Sequence, residues 1–355
     1  MSAKHSAPRR RPLRLPIRKV GLGSLAALQV VLVAVSLGAR AGSTSAPSVK
    51  PPLKGLMDRH HFPASGYTSA IRNFVVSTTW AQLQPTQDGP VVHPNEIDRA
   101  IGQARAAGMH LKLRVRAGVD SPSWAKSLDG PAVTVYNPDS HRAMTIGRFW
   151  TGNYGAAYAQ LQVKLAALYD DVPEVSETIV SRCQTVYSET YLRQGSDAKS
   201  MPNLIRAGLT LEADKRCHDE QMDAHMVWAH TRSGIAFSPY QAMQSDGRSK
   251  IDEDYTEAQM ERCREVLGER CSLENNSIRS SGPRTAAAGD MFRKMQQMGG
   301  AISLQTATYS RIGDYRVALA WSQSIGAASV ELPSGYTHWS ASTLSSYASG
   351  LVGNG

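Results

Sequence analysis

Glu189, Gln305 and Glu331 stand where the ends of β-strands would aim them at one another. Two carboxyl groups facing one space can divide acid and base work: one gives a proton to a leaving oxygen, the other attacks or activates water. An amide between them donates and accepts hydrogen bonds but carries no charge. Asp58, Trp80, Arg116, Trp124, Tyr240 and Asn275 also fall at or just beyond strand ends, with His60 and His61 close to the first. Indole and phenol rings stack on the C–H faces of a sugar, and carboxylate, amide and guanidinium groups satisfy its hydroxyls. The set points to carbohydrate as the partner. Glu189 and Glu331 are the candidate catalytic pair, and Asp58, Trp80, Arg116, Trp124, Tyr240, Asn275 and Gln305 the candidate binding residues.

Such a set needs a scaffold that brings distant strand ends together. The clearest strand runs from Met109 to Ala117, where Leu111, Leu113 and Val115 alternate with His110, Lys112, Arg114 and Arg116. Period-two alternation puts the two sets on opposite faces. If the apolar set meets helices, the basic set points inward, and Arg114 and Arg116 require carboxylate or carbonyl partners. Asn95 reads as a helix N-cap, Ile97, Ile101 and Ala104 as one apolar stripe, and Gly108 as the residue that closes the helix. Strands at Phe74–Trp80, Val175–Ser181, Gly234–Ser238, Cys271–Ile278, Ala301–Thr306 and Ser329–Leu332 alternate with helical segments such as Tyr154–Tyr169, Leu204–Trp228, Thr256–Leu267 and Arg284–Met298. That alternation predicts the α/β class, a (β/α)8 or TIM barrel over residues 53–345, with 346–355 as a frayed tail. No Gly-rich phosphate loop follows any strand, which weighs against a nucleotide site.

Trp80-Ala81-Gln82-Leu83-Gln84-Pro85 follows strand two, and Lys112-Leu113-Arg114-Val115 leads to Ser121-Pro122-Ser123-Trp124. With Glu189 in Thr185-Val186-Tyr187-Ser188-Glu189-Thr190, these segments make the chain resemble the barrel-fold retaining glycoside hydrolases, which include β-galactosidases and cellulases. The resemblance covers most of Leu53–Tyr336. It implies an acid/base Glu after strand four, usually preceded by Asn, and a nucleophilic Glu ending strand seven. This chain has Ser188 before Glu189 and Gln305 at the strand-seven position. An amide forms no glycosyl ester, so a second carboxylate has to come from elsewhere. Glu331, inward between Val330 and Leu332, is the first candidate and Asp58 the next. Two expectations follow: hydrolysis of O-glycosidic bonds, or a barrel retained for sugar binding or cell-surface interaction.

The formal charge of +9 on 355 residues has an uneven source. Lys4, Arg9, Arg10, Arg11, Arg14, Arg18, Lys19 and Arg40 contribute +8 within residues 1–41, which hold no acid. The remainder is near neutral, which excludes the basic stripe of a nucleic-acid binder. A basic start, an apolar run from Val20 to Leu37 and Ala39-Arg40-Ala41 predict a signal peptide over 1–41, or a membrane anchor at 20–39 if it is not cleaved. A Ser/Pro-rich linker then covers 42–52. The protein is thus expected outside the cytoplasm, touching membrane only through that segment. The even set Cys183, Cys217, Cys263 and Cys271 suits two disulfides; of three connectivities, Cys263–Cys271 is favoured by closeness in sequence, leaving Cys183–Cys217. No C-x-x-C pair or His-rich spacing supports zinc, and no metal or cofactor is expected.

Overall fold

A computed structural model describes residues 48–193 and 199–354. The expected export segment 1–41 and most of the expected linker 42–52 lie outside those residues. Eight parallel strands close a barrel: β1 (Gly55–Asp58), β2 (Ile71–Thr79), β3 (His110–Arg116), β4 (Val175–Ile179), β5 (Arg232–Ala236), β6 (Cys271–Ile278), β7 (Ile302–Thr306) and β8 (Ser329–Leu332). Each pairs with its sequence neighbours, and β1 pairs with β8 to complete the ring. This is the (β/α)8 barrel. Between β2 and β3 the helix Glu96–Ala107 begins on Asn95, whose side chain accepts from the Ile97 N–H, and ends on Gly108 in the left-handed region (φ 60°).

Alternation sorts each strand as its pattern requires. Leu111, Leu113 and Val115 are buried against helices, as are Val330 and Leu332 of β8. The inward set is charged. Lys112 Nζ lies 2.8 Å from Glu177, 2.7 Å from Glu274 and 3.2 Å from Glu331. Arg114 donates to both oxygens of Glu331 at 2.6 and 2.8 Å. Burial works against the Lys112 ammonium, but Glu177, Glu274 and Glu331 together outweigh it and raise its pKa. Burial pushes the Glu274 carboxyl well up, while beside it Lys112 overcomes burial and holds Glu177 below the ordinary range. One proton on Glu274 lets the two carboxyls share a hydrogen bond. Gly234 on β5 makes room for this pairing, because a Cβ there would stand 2.2 Å from Glu274 Oε1.

The loop hairpins and the closing helix depart from the sequence reading, and the cysteine pairing agrees with it. Two antiparallel hairpins, Val133–Tyr136 with Ala143–Ile146 and Tyr240–Met243 with Ser249–Asp252, project from the loops after β3 and β5. Their strands of four residues sit within the β-to-α loops, outside the strand–helix alternation that marks the barrel strands. The closing helix runs from Ala341 to Val352, with Leu351 buried, so the expected fraying from 346 is corrected. Both disulfides form, Cys183–Cys217 and Cys263–Cys271.

Candidate functional site

A cleft of about 630 Å³ opens at the C-terminal ends of the strands. Glu189, Gln305, Asn276 and Arg116 line it, joined by Tyr187, Asp139, Asp120 and three further arginines, Arg279, Arg284 and Arg311. In this fold the strand C-termini carry the site because eight loops converge there.

Glu189 sits half-buried, ten residues past the end of β4, on a loop that is braced from several sides. Cys183 ties the loop to Cys217 on the helix Leu211–Asp223, and its N–H donates to Gln221 Oε1 at 3.1 Å. Gly118 (φ 58°) lets the loop after β3 approach so closely that a Cβ would meet the Thr185 carbonyl at 2.3 Å. The adjacent Val119 N–H donates to that carbonyl at 3.0 Å. Beyond Glu189, Arg193 donates to Asp214 at 2.8 and 2.9 Å in a pair with no solvent exposure. The carboxyl is thereby held in place by rigid neighbours rather than by loop chance.

The Glu189 carboxyl is pushed above its ordinary range. Burial raises it; its own backbone N–H, the Asn276 side chain and the positive charges of Arg114 and Arg59 pull the other way and lose. A carboxyl whose pKa is raised holds its proton to higher pH than a free one, which is the direction a proton donor needs. Asn276 reaches it because β6 bulges there: the register with β7 slips between Asn276 and Ile278, and Ser277 takes φ 84°. A non-glycine residue in the left-handed region is a local strain of the kind that gathers at functional sites. Across the cleft Gln305, next to last in β7, is in register with both Asn276 and Glu331.

Several expected site residues are placed elsewhere. Trp80 is fully buried, edge-on to Trp124, Tyr154 and Tyr158, with its N–H given to Gln84, so it is core and no sugar platform. Trp124 packs on it and donates to the Gln84 carbonyl, which makes it a rim-packing residue outside the cleft. Tyr240 is likewise fully buried and gives its hydroxyl to Asp214, bracing the Arg193 pair. Asp58 turns inward to accept the backbone N–H groups of His60 and His61 at 2.9 and 3.1 Å. Glu331, 1% exposed, lies beneath the cleft, where Arg114 and Lys112 outweigh burial and lower it to about 2. It is committed to those cations and is corrected from catalytic partner to structural counter-charge. Asn275 donates to the Phe237 carbonyl at 2.8 Å and faces an adjoining apolar cavity.

The cleft also holds residues that sequence reasoning passed over. Asp139 accepts from the Tyr187 hydroxyl at 2.9 Å and from Arg311 at 3.2 Å, and these contacts keep it ionised. It arrives on the turn of the first hairpin, an element with too weak a pattern to read. Arg279 and Arg284 flank the Ser280-Ser281-Gly282-Pro283 turn that follows β6, a stretch that reads only as punctuation between strand and helix.

No protein-family model matches this chain, and no curated protein matches it in sequence. Solved structures do match its fold. An endo-β-1,4-glucanase of Xanthomonas axonopodis pv. citri aligns at a TM-score of 0.51 and 12% identity, over 83% of this chain and 98% of its own. The structure of XacCel5A in complex with cellopentaose aligns at 0.51 and 12%, over 83% and 99%. At such identity the likeness is one of fold, and the chain is a divergent (β/α)8 barrel similar to the barrel glycoside hydrolases.

Proposed function

We propose that this is an exported protein of glycoside-hydrolase type whose cleft takes an oligo- or polysaccharide, and that Glu189 protonates the glycosidic oxygen as it leaves. The observation that carries the reading is a half-buried carboxyl with a raised pKa, fixed on a braced loop at the C-terminal mouth of a barrel. Gln305 cannot form a glycosyl ester, so a single displacement by water fits better than two successive displacements. That route places acid and base about 6.5–9.5 Å apart. Asp139 and Asp120 are the further carboxylates on the cleft wall, and Asp139, held ionised by Tyr187 and Arg311, is the first candidate to activate the water. The fold neighbour that carries cellopentaose supports saccharide as the ligand class. Export rests on the basic and apolar pattern of residues 1–41.

One observation favours a second reading. Gln305 at the end of β7 and the commitment of Glu331 to Arg114 leave the barrel without the usual carboxyl pair, as in a barrel kept for binding alone. Glycan binding by calorimetry and release of reducing sugar, run side by side on wild type and Glu189→Gln, separate the two. Turnover that disappears in the variant while binding persists supports the first reading. Binding with no turnover in wild type supports the second. A variant as active as wild type removes Glu189 from the chemistry.

A further inference from the structure

The charges lining the cleft do not balance. Four arginines, Arg116, Arg279, Arg284 and Arg311, face three carboxyl groups, Asp120, Asp139 and Glu189. Arg116 is taken by Asp120 at 3.1 Å and Arg311 by Asp139 at 3.2 Å. Glu189 has no ion-pair partner among the described residues, and burial raises its pKa. Among the described residues, Arg279 and Arg284 have neither an ion pair nor a side-chain hydrogen bond, and Arg279 Nε is buried with no acceptor. Unpaired guanidinium groups on an open surface are merely solvated. Here two of them share a concave wall with a third.

The backbone adds charge of the same sign. Arg284 directly precedes Thr285, the N-cap of the helix Ala286–Met298, whose first turn contains no acidic residue. Thr285, Ala287 and Ala288 line a second cavity of about 380 Å³ that shares Arg279 and Arg284 with the main cleft. The N-terminus of a helix carries roughly half a positive charge and points free N–H groups outward. Arg279 loses some basicity to burial and then to the neighbouring charges of Arg284 and Arg311. A buried donor without an acceptor costs free energy until a ligand supplies one.

We propose that Arg279, Arg284 and the N-terminal turn of the helix Ala286–Met298 form an anion subsite, so that the preferred ligand is an acidic saccharide bearing carboxylate or sulfate groups. The inference rests on the reading of the cleft as a saccharide site and names its substrate class. A planar carboxylate or a sulfate matches the fork of a guanidinium, and such charge-assisted bonds are about twice as strong as neutral ones.

Calorimetry on the full chain tests this with three probes: a neutral cello-oligosaccharide, an oligogalacturonate of equal length and a sulfated oligosaccharide. The expected result is an affinity about tenfold or more higher for one or both acidic probes. That preference should shrink as salt is raised and vanish in Arg279→Gln/Arg284→Gln, which lowers the affinity for the acidic probes more than for the neutral one. The exposed Arg284→Gln alone should lose part of the preference, and serves if the double variant does not fold. The carboxylate and sulfate arms tell which anion is read. Equal affinity for all probes, or a preference that survives in both variants, overturns the subsite while saccharide binding stands. No binding of any probe overturns the saccharide reading together with it.

Discussion

Opposing influences meet at the Glu189 carboxyl. Burial raises its pKa, and Asn276 favours the ionised form by bonding to it. Removing that bond in Asn276→Ala should therefore raise the pKa further; carboxyl-carbon NMR of Glu189 across a pH series checks the sign. If the group is the proton donor, the rate falls as pH rises through this value, so the basic limb of the pH–rate profile should move to higher pH in the same variant. Its neighbour Ser277 makes an independent prediction. With φ at 84°, a Cβ is held where glycine is at ease, and Ser277→Gly should stabilise the fold by about 1 kcal/mol in a urea titration. A loss of stability instead would show that the hydroxyl, not the backbone, matters there. At this scale the residue types were legible in the sequence, and the roles of several were not. Trp80 and Tyr240 have the chemistry of a sugar site, but each is enclosed by rings from other segments.

The loop from Val180 to Arg193 shows what an element adds. Its hold on Glu189 comes from a disulfide and a buried ion pair to the helix Leu211–Asp223 and a glycine contact from the loop after β3. Breaking Cys183–Cys217 as a double serine variant removes a 34-residue loop constraint, for which chain entropy predicts about 4 kcal/mol. The expected observation is a lower urea midpoint together with loss of saccharide affinity, because the same loop carries the site. Asp214→Asn should cost about 3–5 kcal/mol, since it strands the Arg193 charge where water does not reach. The even cysteine set, the N-cap at Asn95 and the inward basic face of β3 were all visible from local pattern. The two hairpins were not, because they lie outside the strand–helix alternation and are made by pairing across a turn.

At the scale of the whole molecule, two fully buried histidines make the fold sensitive to acid. Burial lowers His225 to about 3 and His218 to about 4, the latter against the pull of Asp214. A histidine with a depressed folded pKa contributes stability that is complete above its unfolded value, about 6.5, and is lost as pH falls toward the folded value. Each should cost roughly 1.4 kcal/mol per pH unit over that window. Urea midpoints measured from neutrality downward should drop first there. Glu331 behaves as an ordinary depressed carboxyl: its contribution holds above the unfolded value of about 4.3 and fades as pH falls toward about 2. A midpoint flat between pH 6.5 and 4 would contradict the buried, neutral histidines.

Strand and helix alternation, the outward apolar and inward basic faces of β3, and a strand-seven terminus bearing an amide were determined by the sequence alone, because periodicity and residue type act over a few neighbouring positions. Which polar residues face a common cleft was decided only by the closed barrel. Glu331 and Gln305 pair in register on adjacent strands, yet one lies under Arg114 and the other opens to solvent. Arg279, Asp139 and Glu189 come from loops far apart in the chain and share a wall because eight strands close on themselves. Long-range closure sets burial, and burial sets which carboxyl is charged, which is why the chemistry of the site had to wait for the fold.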